Sequence, residues 1–373
     1  MTKKISIRRT SPIDNTFRVA KVRGMFDMDR EESVFEINAD IDLDAKPWLI
    51  GAIVGASGSG KTTIARELWG DDVNISGDFA WEKPSLVDDF PKDMGAEDIT
   101  SLLVSVGFSS SPAWLRPYRV LSTGQQFRAD LARALTQPST AQRPVVFDEF
   151  TSTVDRTVAK AVSVSVSKHV RRTKQPFVAV TCHKDIVDWL QPDWVFDTDT
   201  GTFSWRSVQP RPEIGLCLRE GVRESWALFR EHHYMSHALS PSSRVFLAYV
   251  TIDGIERLAG FTAILPAIGM TGWWRGHRTV VLPDFQGLGI GSAMGELIGE
   301  TLWTRERKRY RSVTLAPAMI NHRKRSPAWR LSMAPGRKAP VGKTSSIKSK
   351  KSKLTSSASR LTTSWVYLPQ ELR

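Results

Sequence analysis

The chain has 373 residues, 41% of them apolar, which suffices to bury the cores of two ordinary domains, and its two cysteines, Cys182 and Cys217, make neither a disulfide framework nor a zinc site and point to a reducing cytoplasm. No apolar run approaches the roughly 20 residues that cross a bilayer, and the basic start MTKKISIRRTSP has no apolar stretch behind it, so neither a membrane span nor a secretory leader is expected. The net charge of +13 is lopsided: residues 1–212 hold 27 basic and 28 acidic side chains and residues 213–373 hold 25 and 11, a field that favours a polyanionic partner.

In chain order, residues 34–54 read as two strands around a turn at Asp44-Ala45-Lys46-Pro47. The second, WLIGAIVG, is a continuous apolar run of the kind found in buried parallel sheets. A glycine-rich turn and a helical pattern (TIARELW) follow. Residues 71–120, rich in Pro, Asp and Ser, predict short helices and loops. A helix begins near Gly124 with Phe127, Leu131 and Leu135 on one face, and PVVFDEF (144–150) is a second buried strand. Residues 154–172 fit two periods. VSVSVS alternates like a strand, while Val154, Val158, Val162, Val166 and Val170 make a helical stripe, and the length favours helix. FVAVTC (177–182) is a third core strand, so the alternation implies a parallel sheet covered by helices.

RSVQPRPEIG (206–215) carries two prolines and no period, which puts a border at 212 between two domains, 1–212 and 213–373. The second opens on a helical spacing of Leu218, Val222, Trp226 and Phe229. RVFLAYVTI and LAGFTAIL read as strands joined at Asp253-Gly254, a hairpin turn. RTVVLP, a glycine-rich turn, a helix from about Gly291 to Lys308 and the strand RSVTLA follow. Residues 336–363 are a Lys/Ser/Thr tract too polar to pack, after which TTSWVYLP regains a strand pattern.

GASGSGKT, Gly55 to Thr62, satisfies G-x-x-x-x-G-K-[ST] after an apolar strand and before a helix. In that setting the amides around Ser57, Gly58, Ser59 and Gly60 close on phosphate oxygens, and the helix opening at Lys61, Thr62 and Thr63 adds its positive dipole end. Lys61 reaches the outer phosphates and the Thr62 hydroxyl ligates magnesium. Asp148 ends the strand VVFDEF, where it holds the magnesium shell, and Glu149 polarises the attacking water. Between these segments stands LSTGQQ, Leu121 to Gln126, followed by the amphipathic FRADLARAL.

Over about residues 15–205 these motifs resemble ABC-type ATPases. The resemblance implies that LSTGQQ is the signature, with Thr123 where a glycine is usual, and that Ser122, Gly124 and Gln125 face the nucleotide of an opposite subunit. It also implies that TSTVD (151–155) is the D-loop with Asp155 at a dimer interface, and that His183 is the switch histidine on the outer phosphate. Phe26 or Phe35 would stack on adenine. One signature and one P-loop per chain imply an ATP-dependent homodimer. There is no glutamine between the P-loop and the signature; GDFAWEKPSLVDDF stands there instead. The segment from Lys61 to Leu121 is shorter than in transporter subunits, which argues against a transport role and a membrane partner.

HRTVVLPDFQGLGIGSAMGELIG (277–299) carries Q-x-x-G-x-G as Gln286, Gly289 and Gly291, again between a strand and a helix. Amides from Gly287 to Ser292 would point at a pyrophosphate. The spacing is not the G-x-G-x-x-G of a dinucleotide fold. Over roughly residues 215–335 and 364–369 it resembles GNAT acyltransferases, which implies a mixed α/β domain, acetyl-CoA as donor and a core strand that pairs with the pantetheine arm. The fold class expected is therefore α/β throughout: an ABC-type ATPase domain with a mostly parallel sheet, then the acyltransferase domain, with ATP, Mg2+ and acetyl-CoA as cofactors.

Acyl transfer needs a base for the amine and an acid or dipole near the departing sulfur. Many relatives place a tyrosine after the next strand, but RSVTLAPAMINHRKRSP has none. Asn321, His322 and Ser326 are nearby substitutes, His277 is a candidate base, and His232, His233 and Tyr234 form a polar-aromatic cluster, each also readable as surface or core. Mom-like DNA-modification proteins resemble GNAT domains without sharing their chemistry, so a binding or modifying module without acetyl-CoA is the alternative. Three basic clusters, Arg305-Arg307-Lys308-Arg309-Arg311, His322-Arg323-Lys324-Arg325 and Lys348-Lys350-Lys351-Lys353, with Trp273-Trp274-Arg275, suit phosphate pairing and base stacking. A nucleic-acid acceptor is expected on that ground; a solvated basic face is the other reading.

Overall fold

The computed structural model describes residues 3–14, 16–27, 32–70, 75–76, 79–207, 209–233, 238–333 and 362–373, with the side chains of 3–12, 32–35, 37, 38, 317 and 333 outside that description. Tyr234, the side chain of Phe35 and positions 336–361 of the basic tract, which include the cluster Lys348-Lys350-Lys351-Lys353, lie outside the described residues. In chain order the elements are β1 (Lys3–Pro12), α1 (Phe17–Met25), β2 (Glu32–Ile41), β3 (Ile50–Val54), α2 (Lys61–Trp69), β4 (Ile75–Ser76), α3 (Ala96–Ser105), α4 (Ser111–Trp114), α5 (Thr123–Ala134), β5 (Val145–Phe147), α6 (Arg156–Thr173), β6 (Phe177–Thr181), α7 (Val187–Leu190), β7 (Trp194–Asp197) and β8 (Thr202–Trp205). Then come β9 (Gly215–Gly221), β10 (Arg244–Ile252), β11 (Ile255–Pro266), β12 (Trp273–Val281), α8 (Ile290–Glu306), β13 (Arg309–Thr314), α9 (Pro317–Arg325), β14 (Trp329–Met333) and β15 (Thr363–Tyr367). This is a mixed α/β chain. Among the described residues no helix is long and apolar enough to cross a membrane.

The chain forms two compact units. The first comprises Met1–Phe79, Arg133–Val154 and Ser167–Arg211; the second comprises Ala80–Ala132, Asp155–Val166 and Pro212–Arg373. Two segments that the sequence assigns to the first domain, 80–132 and 155–166, thus group with residues beyond 212.

In the first unit a sheet runs β4-β5-β6-β3-β7-β8, parallel except for β8, which pairs antiparallel with β7. Every residue of β3, β5 and β6 is buried, the pattern of strands covered on both faces. Ile53, Val178, Val180, Trp194 and Phe196 pack with Ile64 and Ala65 of α2, all at 0% exposure. Gly51 permits this layer, since a Cβ there would stand 2.1 Å from the Trp194 ring. The hairpin β7–β8 escapes the sequence reading, although WVFDTDTGTFSW alternates around a Gly201 turn. β1 and β2 form a separate antiparallel pair, from Lys3↔Ile41 to Pro12↔Glu32.

α6 settles the doubly periodic stretch as helix. Val158, Val162, Val166 and Val170 are buried along one stripe. The serines that would have faced solvent on a strand bond back instead, Ser163 to the Ala159 carbonyl at 2.7 Å and Ser165 to that of Ala161 at 2.9 Å.

In the second unit a sheet runs β14-β15-β13-β12-β11-β10-β9, antiparallel except for the parallel pair β12–β13. Asp253 and Gly254, with φ of 51° and 77°, turn β10 into β11. The helix expected from Leu218 to Phe229 is not formed. β9 pairs with β10, Leu218 opposite Ala248, and 3-10 turns at Arg223–Leu228 and Arg230–His232 follow. Fourfold apolar spacing over two short elements imitates a helix, and the otherwise open edge of β10 decides for the strand. Ile290, Met294, Ile298 and Leu302 line the buried face of α8. Trp81 stacks on Tyr118 at 4.8 Å and both bond to Asp130 at 2.7 Å, which braces α5.

Candidate functional site

The loop from Gly55 to Gly60 leaves the carboxyl end of β3 and opens α2, and Gly55, Gly58 and Gly60 take φ of 149°, 78° and 80°. At 78° and 80° a side chain would be strained, so glycine is what lets the amides turn inward. A Cβ at Gly58 would meet nothing within 4 Å, which leaves the cradle open. Lys61, 8% exposed, holds its ammonium 3.0 Å from the Gly55 carbonyl and 2.6 Å from that of Ala56. The Thr62 hydroxyl donates to Asp148 Oδ2 at 2.6 Å. β5, β6, β3 and β7 are neighbours in one parallel sheet, so Asp148, Glu149, His183 and the loop all stand at the same carboxyl edge, where open α/β sheets bind ligands.

Glu149 is exposed and left-handed, with φ of 51°, and its amide bonds Asp148 Oδ1 at 2.8 Å. Thr151 is also left-handed at 68° and fully buried, and its hydroxyl has no hydrogen-bond partner among the described residues. A β-branched residue there is strained, a condition that clusters at functional loops. The His183 amide bonds Thr181 Oγ1 at 3.0 Å, and its Nδ1 is buried without a hydrogen-bond partner among the described residues. Two buttresses were missed in the sequence. Asp199 accepts from the Ala56 amide at 2.8 Å, and the Thr198 hydroxyl bonds the Val54 carbonyl at 3.1 Å. The Ala56 bond, with Lys184, holds the Asp199 carboxyl below its usual range. Phe26 is 69% exposed at the end of α1.

Donor chemistry fits a magnesium nucleotide. No group of three His, Cys, Asp or Glu among the described residues could hold a metal alone. Magnesium bound by one carboxylate, a hydroxyl and phosphate oxygens needs no such group, and Thr62 and Asp148 supply that set.

In the second unit Ser122 caps α5. Its carbonyl accepts from the Gln125 and Gln126 amides at 2.8 Å, and Gln125 Oε1 accepts from the Ser122 amide at 3.2 Å, half of a capping box. Ser122 and Thr123 are exposed, and Gly124 lies against Val158. Asp155 caps α6 through the Thr157 amide at 2.7 Å and stands 3.8 Å from Arg257.

The second glycine loop follows β12. Gln286 is buried, its Oε1 accepting from the Ser109 amide at 2.8 Å and its Nε2 donating to the Val281 carbonyl at 3.1 Å, so its side chain clamps the loop rather than offering itself to a ligand. Gly287, with φ of 94°, is packed so closely that a Cβ would stand 2.0 Å from Ser165 Oγ. Gly289, with φ of 88°, faces open space and directly precedes α8. The Ser292 amide, expected on the phosphate, instead bonds the Gly289 carbonyl at 3.1 Å. The Ile290 and Gly291 amides that open α8 are of the kind a helix leaves without intrahelical acceptors, so this end of the loop fits a pyrophosphate. Arg128 of α5, 1% exposed, donates to the Pro283 carbonyl at 2.9 Å, and burial lowers its pKa to about 10.

β12 and β13 run side by side only from Trp273↔Arg309 to Arg275↔Arg311, then part. From Gly276 to Val281 β12 keeps its pairing with β11, and among the described residues no strand pairs with its other edge. His277 is the unpaired residue of a bulge, since Arg278 lies opposite Ala263 and Gly276 opposite Ile264. Burial, with Arg278 and Arg275, pushes its pKa down to about 4, and its Nε2 accepts from the Ser240 amide at 3.3 Å. His233 is core, 6% exposed beside Trp226, whereas Asn321 is exposed. His322 and Ser326 both donate to Glu296 Oε1, at 2.7 and 3.0 Å.

Of the basic clusters, Arg307 pairs with Glu371, Lys308 lies over Trp274 at 5.5 Å and Arg309 over Trp273 at 5.4 Å. Arg323 departs from its neighbours: it is 2% exposed, turned inward from α9.

No known family model matches the chain, and no curated protein does. Among solved structures it is similar to a dimeric post-hydrolysis state of the ATP-binding cassette MJ0796 bound to ADP and Pi, at 14% identity and TM-score 0.38, over 56% of this chain and all of that one. A second, the dimeric structure of MJ0796, a bacterial ABC transporter cassette, gives 16% identity and TM-score 0.36, over 53% of this chain and 94% of that one. Likeness at that level assigns neither family nor activity.

Proposed function

We propose that the chain is an ABC-type ATPase that also carries an acyl-CoA-dependent N-acyltransferase site, acting on a nucleic acid or an acceptor bound to one. The observation that carries the first half is the Thr62–Asp148 bond at 2.6 Å beside an open glycine cradle, with Glu149 next in the chain. Lys61 and the loop amides hold the outer phosphates. Thr62 and Asp148 would hold magnesium, which would supply charge neutralisation. Glu149 orients a water and takes its proton, and the unpartnered Nδ1 of His183 is left for the phosphate or that water. Ser122, exposed, and Gly124, half-buried, stand at the start of α5 and are read as the cap on a second protomer's nucleotide, which makes the working form a homodimer.

The second half rests on the open edge of β12 leading to the amides of α8. Those amides hold the pyrophosphate, and the strand edge takes the pantetheine arm. The nucleic-acid acceptor is favoured by the excess of basic side chains beyond residue 212 and by a shallow cavity of about 330 Å³ lined by Met270, Trp273, Trp274 and Lys308. Incubating the full chain with Mg-ATP, labelled acetyl-CoA and separate DNA, RNA and protein pools tests the reading. Label in one pool is expected; none in any pool contradicts the transferase half. Loss of ATP hydrolysis in Lys61→Ala is expected, and unaltered hydrolysis contradicts the first.

A further inference from the structure

Where β12 and β13 part, the first positions beyond their last rung are Gly276 and Ser312. A Cβ at Gly276 would stand 3.1 Å from the Tyr310 hydroxyl and 3.2 Å from Ser312 Oγ, so polar groups line the floor of the gap. Arg323 reaches this floor from α9. Its Nη2 donates to Ser312 Oγ at 3.1 Å, and its guanidinium lies over the Trp329 ring at 4.1 Å. The Nη1 of the same group is buried and has no hydrogen-bond partner among the described residues. Burial lowers the Arg323 pKa to about 10, with Tyr310 and Glu296 acting the other way, so the group is charged at neutral pH. Among the described residues Glu296 makes no ion pair with it, and its Oε1 accepts from His322, Ser326 and Trp329 instead.

A buried guanidinium with an orphan N–H and a neutral partner is costly to keep. Packing alone would be served by an apolar side chain of the same volume, and an anion arriving at the gap floor accounts for the charge. The chain's own geometry says which anion. The α8 amides mark one end of the gap and Gly276 the other, and the open edge between Gly276 and Val281 is about 20 Å of strand, a length that suits an extended pantetheine arm. With the pyrophosphate at the loop, the thioester falls at the floor, beside Arg323.

Resting on the acyl-CoA reading above, we propose that Arg323 is a catalytic residue of the transfer, donating through Nη1 to the departing thiolate. The acceptor amine forms a C–N bond to the thioester carbonyl. The C–S bond breaks with its electron pair staying on sulfur, the amine proton passes to solvent, and Arg323 keeps its own proton throughout. It stands in the segment after β13 where the sequence offers no tyrosine; His322 of that segment is bonded to Glu296, and His277 of β12 accepts from the Ser240 amide.

The test compares CoA with desulfo-CoA on the full chain, by calorimetry and by ultraviolet titration of the bound thiol. In the unaltered protein the bound thiol is expected to ionise at least about one unit below that of free CoA titrated alongside, with CoA favoured over desulfo-CoA by about tenfold for each unit once the pH exceeds both values. Arg323→Met should erase that preference and return the thiol to its ordinary range, with desulfo-CoA affinity kept within about twofold. Arg323→Lys should restore part of it. Should Arg323→Met not fold, the thiol titration of the unaltered protein decides. An ordinary thiol pKa with equal affinity for the two ligands overturns the assignment while leaving CoA binding intact. Failure of both ligands to bind removes the acyl-CoA reading and this assignment with it.

Discussion

Glu149 sits left-handed beside the acid that bonds Thr62, so its carboxylate is presented by backbone strain rather than by side-chain partners. Glu149→Gln keeps size and should keep nucleotide binding, while steady-state ATP hydrolysis falls by about 10²-fold or more; hydrolysis within a few fold of the unaltered rate would count against its role. Gly287 offers a test of packing. A methyl there meets Ser165 Oγ at 2.0 Å on a backbone at φ of 94°, so Gly287→Ala should cost about 1–3 kcal/mol, seen as a lowered denaturation midpoint. Removing the hydroxyl as well, in Ser165→Ala, should recover part of the loss. At this scale the turns of both glycine loops were legible because a positive φ is a local demand that glycine meets. Thr198, Asp199 and Arg323 were not. The first two act on partners 144 and 143 positions away, and Arg323 sat in a basic run whose other members face solvent.

The gap between β12 and β13 is an element-scale property. Short parallel pairing, a bulge at His277 and antiparallel neighbours on both outer edges open it, and none of these is encoded in a strand's own alternation. The hairpin at Asp253-Gly254 and the helix over 156–173 were legible because turn chemistry and length each decided locally. β9 was not, because its spacing copies a helical stripe and only the edge of β10 distinguishes them. α5 is joined to the second glycine loop by Arg128, while Ser109, just past α3, holds Gln286. Arg128→Met and Gln286→Ala should each lower the denaturant midpoint, and the double variant should lower it by less than the two together, with coupling of about 0.5–3 kcal/mol. Strict additivity would mean that the two bonds do not brace one loop.

At the scale of the whole molecule, two histidines contribute to loss of stability in acid. Burial, with Arg172, pushes His169 down to about 4, and burial with Arg278 and Arg275 does the same to His277. The unfolded chain takes up these protons near 6.5 and the folded chain resists, so stability is full above that pH and is lost as the pH falls toward 4. Urea midpoints at pH 7.5 and 4.5 should therefore differ less in His169→Gln than in the unaltered chain. The sequence reading placed a border at 212 on a break in periodicity. That the chain also sends 80–132 and 155–166 into the second unit was not legible, because grouping by contact leaves no mark on composition. One P-loop and one signature per chain make assembly testable: Glu149→Gln in saturating Mg-ATP should scatter light as a dimer, and a persistent monomer would refute the composite site.

Calorimetric titration of the full chain with Mg-ATP and with acetyl-CoA, singly and then in succession, asks most directly whether two separate loops hold phosphates. Two saturable sites that ignore each other's ligand are expected, with Lys61→Ala abolishing only the first and Gly289→Val, strained at its φ of 88°, only the second. Acetyl-CoA that is displaced by Mg-ATP, or that no longer binds Lys61→Ala, would mean a single nucleotide site and contradict the pairing of activities.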